Sequence, residues 1–341
     1  MRIFAALLLM GSMFTGCHPA SDVTPLADEQ SAVTDQCIPV ILDSDANNEL
    51  DDQHAIAYML LNRDRFDVKG ITVNRTHNGG DIHEQYAEAE RVVQVLNLLD
   101  EVPIYKGADG SFEDIRPTLS RPNYDGHEAV EFIVATARSY TPEAPLVLLP
   151  VGKLTNIALA LEAAPDIADR VRIVWLGSNY PEPGEYNQEN DLESVRYVYD
   201  YDVPLEVALV RYGAPSATDA VRITPDEAVT HLAGKGPVAT TPITGRHGGT
   251  FVTFGDYAVN LFDHIEMYGN PPSRALFDMA AVAIVKEPSW AMATEVPAPL
   301  LQADGTWVER PDNPRTIILW ENYDRDAIVE DLYRSLDAVT P

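Results

Sequence analysis

Two periods of apolar and polar positions alternate along this chain. Ile38-Pro39-Val40-Ile41-Leu42 is a short unbroken apolar run that stops at Asp43, the form of a strand buried on both faces. Beyond it Ala55, Ile56, Tyr58, Met59 and Leu60 recur at helical spacing. Val68–Val73 predicts a second strand and Tyr86–Leu99 a second helix. The alternation continues with a helix over 128–139, a strand Pro145–Leu149 and a helix Thr155–Ala163. A strand Val171–Leu176, a helix Leu192–Tyr199 and a strand Leu205–Val210 follow. Such alternation means βαβ units, hence an α/β fold with an open, mostly parallel sheet and helices on both faces, Rossmann-like in its layering. Ligands of such sheets bind beyond the carboxyl ends of the strands. The residues that matter are therefore those just after each strand.

The ends stand apart from this pattern. Residues 1–16 carry a positive Arg2 and an apolar Phe4–Met10 stretch, too short to span a bilayer as a helix and suited to a signal peptide. Phe14-Thr15-Gly16-Cys17 resembles the end of a bacterial lipoprotein signal, with Cys17 as the acylated residue. The alternative is an ordinary secretory signal with a chance cysteine. Either predicts an exported protein, periplasmic or in the outer membrane, touching membrane only through a lipid anchor. Residues 17–37 read as a tether and 38–341 as one catalytic domain, in which 286–341 carries no motif and closes the fold. Cys17 and Cys37 are the two cysteines, so no disulfide framework is expected. If Cys17 is lipidated, Cys37 is left as a small unpaired residue packed beside the first strand.

Charge narrows the choice of partner. The chain has 24 Lys+Arg against 53 Asp+Glu, a formal net charge of −29. Nucleic acid is excluded, because phosphate binding needs a basic footprint. A cation fits better. At 45% hydrophobic and 8% aromatic residues the chain has the apolar content of a packed core and not of a disordered segment.

The first strand ends in Asp43-Ser44-Asp45-Ala46-Asn47-Asn48-Glu49-Leu50-Asp51-Asp52. Crowded carboxylates repel unless a cation lies among them or solvent screens them. Oxygen ligands without histidine or cysteine nearby indicate Ca²⁺ or Mg²⁺ and not zinc. The plainer explanation, that acids favour a helix N-terminus, covers Asp51 and Asp52 but leaves Asp43 and Asp45. Strand-Asp-x-Asp also resembles the haloacid dehalogenase-type phosphatases. Here, however, Asn47 stands where Thr or Val is usual, and no convincing downstream set follows.

Three later segments change the picture. Val151-Gly152-Lys153-Leu154-Thr155-Asn156-Ile157-Ala158 follows a strand, Gly184-Glu185-Tyr186-Asn187 follows the strand ending Trp175-Leu176-Gly177, and Leu276-Phe277-Asp278-Met279-Ala280 opens a helix. With the acidic first loop and in this order, over roughly residues 38–285, they resemble the nucleoside hydrolase family of inosine-uridine preferring type. The resemblance implies Ca²⁺-dependent hydrolysis of the N-glycosidic bond of ribonucleosides to base and ribose, serving purine or pyrimidine salvage, in a homodimer or homotetramer. It gives Asp45, Asp52, Asp278 and the Val151 carbonyl as metal ligands. Asp45 would also be the base toward water, and Asp51 the residue that holds the ribose 2′-hydroxyl. Asn179, Glu185 and Asn187 would bind ribose, and Asp43 would orient the loop from behind.

Two places depart from the family pattern. Phe277 stands where members with a His-Asp pair carry the histidine that helps protonate the base; it is either packed core or a surface for the base. His247, within Gly245-Arg246-His247-Gly248-Gly249, is the candidate replacement, with Tyr257 beside it on a presumed lid. In the second loop Asn78 is the expected substrate contact and Asn74 the second choice. Tyr124-Asp125-Gly126-His127 either approaches the site or caps a helix, and His54 reads as structural. The competing functions are a non-catalytic nucleoside or ribose binder on the same fold and the phosphatase.

Overall fold

The computed structural model describes residues 37–341, so the expected signal peptide, the lipidation site Cys17 and all but the last residue of the tether lie outside the described residues. Cys37, half-buried ahead of the first strand, is not a free thiol, which corrects its reading as unpaired.

Six parallel strands form the frame, and all but β3 are expected from the sequence: β1 (Ile38–Ser44), β2 (Phe66–Val73), β3 (Ile104–Lys106), β4 (Leu146–Pro150), β5 (Val171–Leu176) and β6 (Leu205–Ala208). The sheet has eight strands, running Met292–Pro297, Thr316–Glu321, β6, β5, β4, β1, β2, β3. Thr316–Glu321 is parallel to β6, and the edge strand Met292–Pro297 is antiparallel to it. The 286–341 stretch thus closes the fold, by extending the sheet at one edge.

Alternation along each strand sorts side chains between two cores. Val40 and Leu42 face one side with Val147 and Leu149, while Ile41, Leu148, Ile173 and Trp175 face the other. The first side is covered by α1 (Leu50–Leu61), α2 (Ile82–Val95) and the helices Phe277–Lys286 and Arg325–Ala338. The second is covered by the helices His127–Ala137, Thr155–Ala163 and Leu192–Asp200. α2 begins four residues before its apolar pattern does. Asp81 accepts from the backbone of His83 and Glu84, while the Glu84 side chain accepts from Asp81 N–H. This capping box, not periodicity, sets the start.

Chain order reverses between β1 and β4, the place where open α/β sheets leave a crevice for ligand. Both strands end there in functional candidates, β1 in the Asp43–Asp45 turn and β4 in Val151. At the opposite end α1 is latched to the C-terminal helix. The Tyr58 hydroxyl donates to the Asp331 carboxylate, Lys286 forms an ion pair with the same carboxylate, and Lys286 also donates to Asn62 at 2.6 Å.

Candidate metal-binding and active site

The acidic turn is built from behind by neutral donors. Asp43 sits in register between Thr72 of β2 and Pro150 of β4. It accepts hydrogen bonds of 2.6 Å from Thr72 Oγ1, Asn74 Nδ2 and Asn156 Nδ2. Burial nevertheless pushes its carboxyl up to about 6. Asp43 lies under the cavity and does not line it. Asn156, from the Gly-Lys-Leu-Thr-Asn turn, also accepts from Ala108 N–H, and its neighbour Thr155 donates to Asp191. These motif residues hold the loops together, and of that turn only Val151 reaches the cavity.

The cavity, about 620 Å³, opens over the strand ends. Asp45, Asp51, Asp52 and Asp278 line it, with the Val151 backbone, Glu185, Asn187 and Phe277. Thr76 donates to Asp45, and Ser44 Oγ donates to Asp52 at 2.6 Å. Carboxylate oxygens of Asp51, Asp52 and Asp278 lie within 4.8 Å of one another, and all three residues are buried. Asp45 stands outside this tightest group, yet its charge raises each of the other three.

Burial is the first cause of every shift here, and neighbouring carboxylates add to it. Asp45 is pushed up to about 6 and Asp51 to about 7, while Asp52 and Asp278 lie well above the usual carboxylate range. With their oxygens within 4.8 Å, the buried Asp52 and Asp278 carboxyls cannot both stay ionised without a shared proton or a cation. Among the described residues no lysine or arginine forms an ion pair with these four aspartates. An all-oxygen donor set with uncompensated buried charge fits a hard divalent cation such as Ca²⁺ or Mg²⁺.

Glu185 is buried and caps the short helix Tyr186–Asn190, accepting from Ser178, Asn187 and Gln188 N–H at 2.8–2.9 Å. Burial pushes it up to about 7. Asn187 Nδ2 donates to the Val151 carbonyl at 2.8 Å and to the Leu176 carbonyl at 3.2 Å. The Val151 oxygen thus has one lone pair engaged and one left. Asn179 turns away: its Nδ2 donates to the Pro183 carbonyl and its Oδ1 accepts from Tyr212 N–H, both at 3.4 Å.

Four other expected positions lie off the cavity lining. Asn78 is exposed, and its backbone N–H donates to the Tyr186 hydroxyl at 2.9 Å. Asn74 is fully buried on Asp43. His247 is exposed on the loop of the Ile243–Thr244/Thr250–Phe251 hairpin, stacked on His264 with ring centroids 4.7 Å apart. Tyr257 is buried and its hydroxyl donates a hydrogen bond to the Glu88 carboxylate. His54 is core, with Nδ1 2.6 Å from the Leu50 carbonyl and its ring edge-on to Phe254 and Phe262. His127 heads its helix, with its Nδ1 3.0 Å from the Tyr124 carbonyl.

Sequence reasoning missed part of the lining: Glu49, Tyr212, Arg222, Tyr268 and Arg274. Tyr212 follows β6 and falls under the strand-end rule. Arg222 and Arg274 come from a two-stranded pairing, Arg222–Ile223 with Arg274–Ala275, whose strands are too short to leave a periodic signal. Phe277 packs edge-on against Tyr212, centroids 5.9 Å apart.

Residues 40–329 match the family model for inosine-uridine preferring nucleoside hydrolase. A pyrimidine-specific ribonucleoside hydrolase, RihA of Escherichia coli, is 28% identical over 196 residues, which is 50% of this chain and 60% of that protein. The curated relatives matched first are covered over 43% and 60% of their own lengths. Among solved structures, a plant nucleoside hydrolase superposes with a TM-score of 0.68 at 18% identity, covering 88% of this chain and 99% of that one. A purine-preferring ribonucleoside hydrolase from Gardnerella vaginalis gives 0.66 at 17%, covering 89% and 99%. At these identities the superpositions establish the fold.

Proposed function

Because the chain belongs to the inosine-uridine preferring nucleoside hydrolase family, we propose that it hydrolyses the N-glycosidic bond of ribonucleosides with the help of a Ca²⁺ held by its buried aspartates. One observation carries this reading: Asp51 and Asp52 of α1 and Asp278, more than two hundred residues later, crowd their oxygens within 4.8 Å inside a cavity of nucleoside size. The name of the bacterial relative specifies pyrimidine nucleosides and that of the Gardnerella structure purine nucleosides, so both classes belong in the assay.

The chemistry follows from the lining. Cleavage of a ribosyl C–N bond passes through an oxocarbenium-like sugar, which a dense set of carboxylates stabilises where its charge develops. Asp51 accepts from the 2′-hydroxyl, while Glu185 and Asn187 hold the other ribose hydroxyls. Asp45, which lines the cavity, takes a proton from the attacking water. A bound divalent cation supplies Lewis acidity and orientation to that water. Asp43, pinned by three donors, keeps the turn in place.

The test is incubation of the full chain with inosine, uridine and adenosine in Ca²⁺, following free base and ribose. Release of base that stops on chelation and returns with Ca²⁺ is the expected result. No turnover of any nucleoside would overturn the reading. Phe277 in the histidine position keeps one rival alive, a binder without catalysis. That rival expects thermal stabilisation by ribose with no base released. The phosphatase reading lapses, because its nucleophile would be Asp43, which is fully buried beneath the cavity.

Export is proposed from the leader sequence alone, and acylation of Cys17 with it on the condition that the Cys17 thiol is not what engages Cys37. Mass analysis of the mature N-terminal peptide from a bacterial membrane fraction tests it. An unmodified Cys17 within an intact leader would refute both parts.

A further inference from the structure

We propose that Thr76 is a positioning residue for Asp45, its hydroxyl fixing the rotation of the carboxylate that takes the proton of the attacking water. The inference rests on the hydrolase reading above. It gives the second loop, whose asparagines Asn74 and Asn78 lie off the cavity, its part in the reaction. Thr76 follows β2, is buried, and lies off the cavity lining. Its Oγ1 donates to Asp45 Oδ2, a hydrogen bond between two buried groups. Asp45 Oδ1 lies on the Gly152 side, 2.7 Å from where a Cβ on that glycine would stand. The last torsion of an aspartate is soft and roughly two-fold, so a carboxylate in a cavity wall turns unless an oxygen is held. Thr76 holds one.

The hydroxyl is itself held still. Asn74 N–H donates to the Ser44 carbonyl at 3.0 Å, and Arg75 N–H to the Ala108 carbonyl at 3.1 Å. Past Thr76, His77 N–H donates to Asn190 Oδ1 at 2.7 Å and Asn78 N–H to the Tyr186 hydroxyl at 2.9 Å. The Asn78 carbonyl accepts from Gln85 Nε2 at 3.2 Å, and the Gly79 carbonyl from Asn47 Nδ2 at 2.7 Å. A segment without helix or strand is thus tied to the acidic turn, to the chain after β3, to α2 and to the helix Tyr186–Asn190. So many ties do more than connect β2 to α2.

The side chains of this loop show what the ties present. Asn74 donates to Asp43 beneath the cavity, Arg75 pairs with Asp109 at 2.9 Å, and Thr76 donates to Asp45. The last of these bonds ends on a cavity-lining carboxylate. A base must offer its oxygen to water in the same direction at each turnover, and misplacement costs rate. Because Thr76 acts through Asp45 from off the lining, its loss falls on kcat and spares KM.

The experiment removes the hydroxyl in Thr76→Val and Thr76→Ala and keeps it in Thr76→Ser. The alanine variant, smaller than the native residue, serves if the valine variant does not fold. Each full chain is assayed on inosine and uridine at the Ca²⁺ concentration that calorimetric titration shows to saturate it. The expected result without the hydroxyl is a fall in kcat of roughly 10- to 100-fold with KM within about threefold. Thr76→Ser should stay within about threefold of wild type in both. Crystal structures supply a readout without turnover. The Asp45 carboxylate should be turned by about 30° or more, or split over two conformers, without the hydroxyl, and unmoved in Thr76→Ser. An unmoved carboxylate without the hydroxyl, an equal loss in Thr76→Ser, or an unchanged kcat without the hydroxyl overturns the role of Thr76. A wild-type chain that releases no base sinks the hydrolase reading instead, and the turning of the carboxylate then still decides whether Thr76 positions Asp45.

Discussion

Asp52 and Asp278 bring carboxylate oxygens within 4.8 Å of each other although more than two hundred residues separate them in the chain. Removing one charge from this pair should relieve repulsion and weaken the cation together. Asp278→Asn is therefore expected to raise the melting temperature of cation-free protein while lowering Ca²⁺ affinity by at least about tenfold. Calorimetric titration and a thermal melt in chelator check the two halves. Gly152 is tied to the same site by lack of space: a Cβ there would stand 2.7 Å from Asp45 Oδ1 and 2.8 Å from the Asn74 amide. Gly152→Ala should displace Asp45, with a drop in kcat of about tenfold or more and little change in fold by circular dichroism. The crowding of acids after β1 was legible because five carboxylates in ten residues demand an explanation. Their partner Asp278 was legible only through family resemblance. Arg274 was not legible at all, since an arginine in a turn looks like any other surface arginine until its burial is known.

At the level of elements, α1 carries the problem and part of its solution. Its first turn holds Asp51 and Asp52, and one turn on His54 is buried neutral, held by burial at about 4 against an ordinary 6.5. A buried base with a lowered value stabilises the fold in full above 6.5. That contribution is lost as the pH falls toward 4, because the unfolded chain takes up the proton first. The full span is about 3 kcal/mol. Stability of wild type minus His54→Phe, measured by denaturant unfolding in saturating Ca²⁺, should therefore decline between pH 6.5 and 4, and a flat difference would contradict it. The periodic helices and buried strands around α1 were readable because their apolar residues repeat. β3, three residues long, and the pairing of Arg222–Ile223 with Arg274–Ala275 were not. An element of two or three residues has no period to detect, and tertiary contacts alone define it.

For the whole molecule, a net charge of −29 and a cluster of buried acids predict that a cation would stabilise the fold as well as serve the proposed chemistry. Chelation should lower the melting temperature by about 5 °C or more, with recovery on adding excess Ca²⁺. A melting point indifferent to chelator and to added Ca²⁺ would argue against a resident ion. Strand order is the feature that aims everything: with reversal between β1 and β4, the acidic turn and Val151 emerge side by side. The latch from Tyr58 to Asp331 has a consequence in time. Synthesis proceeds from the N-terminus, so α1 leaves the ribosome long before the segment that supplies Asp331 and the ring's grip on it. A nascent chain has its acidic loop early but lacks the brace beneath it until the last few residues are made. The bracing of α1 is thus deferred to the end of translation.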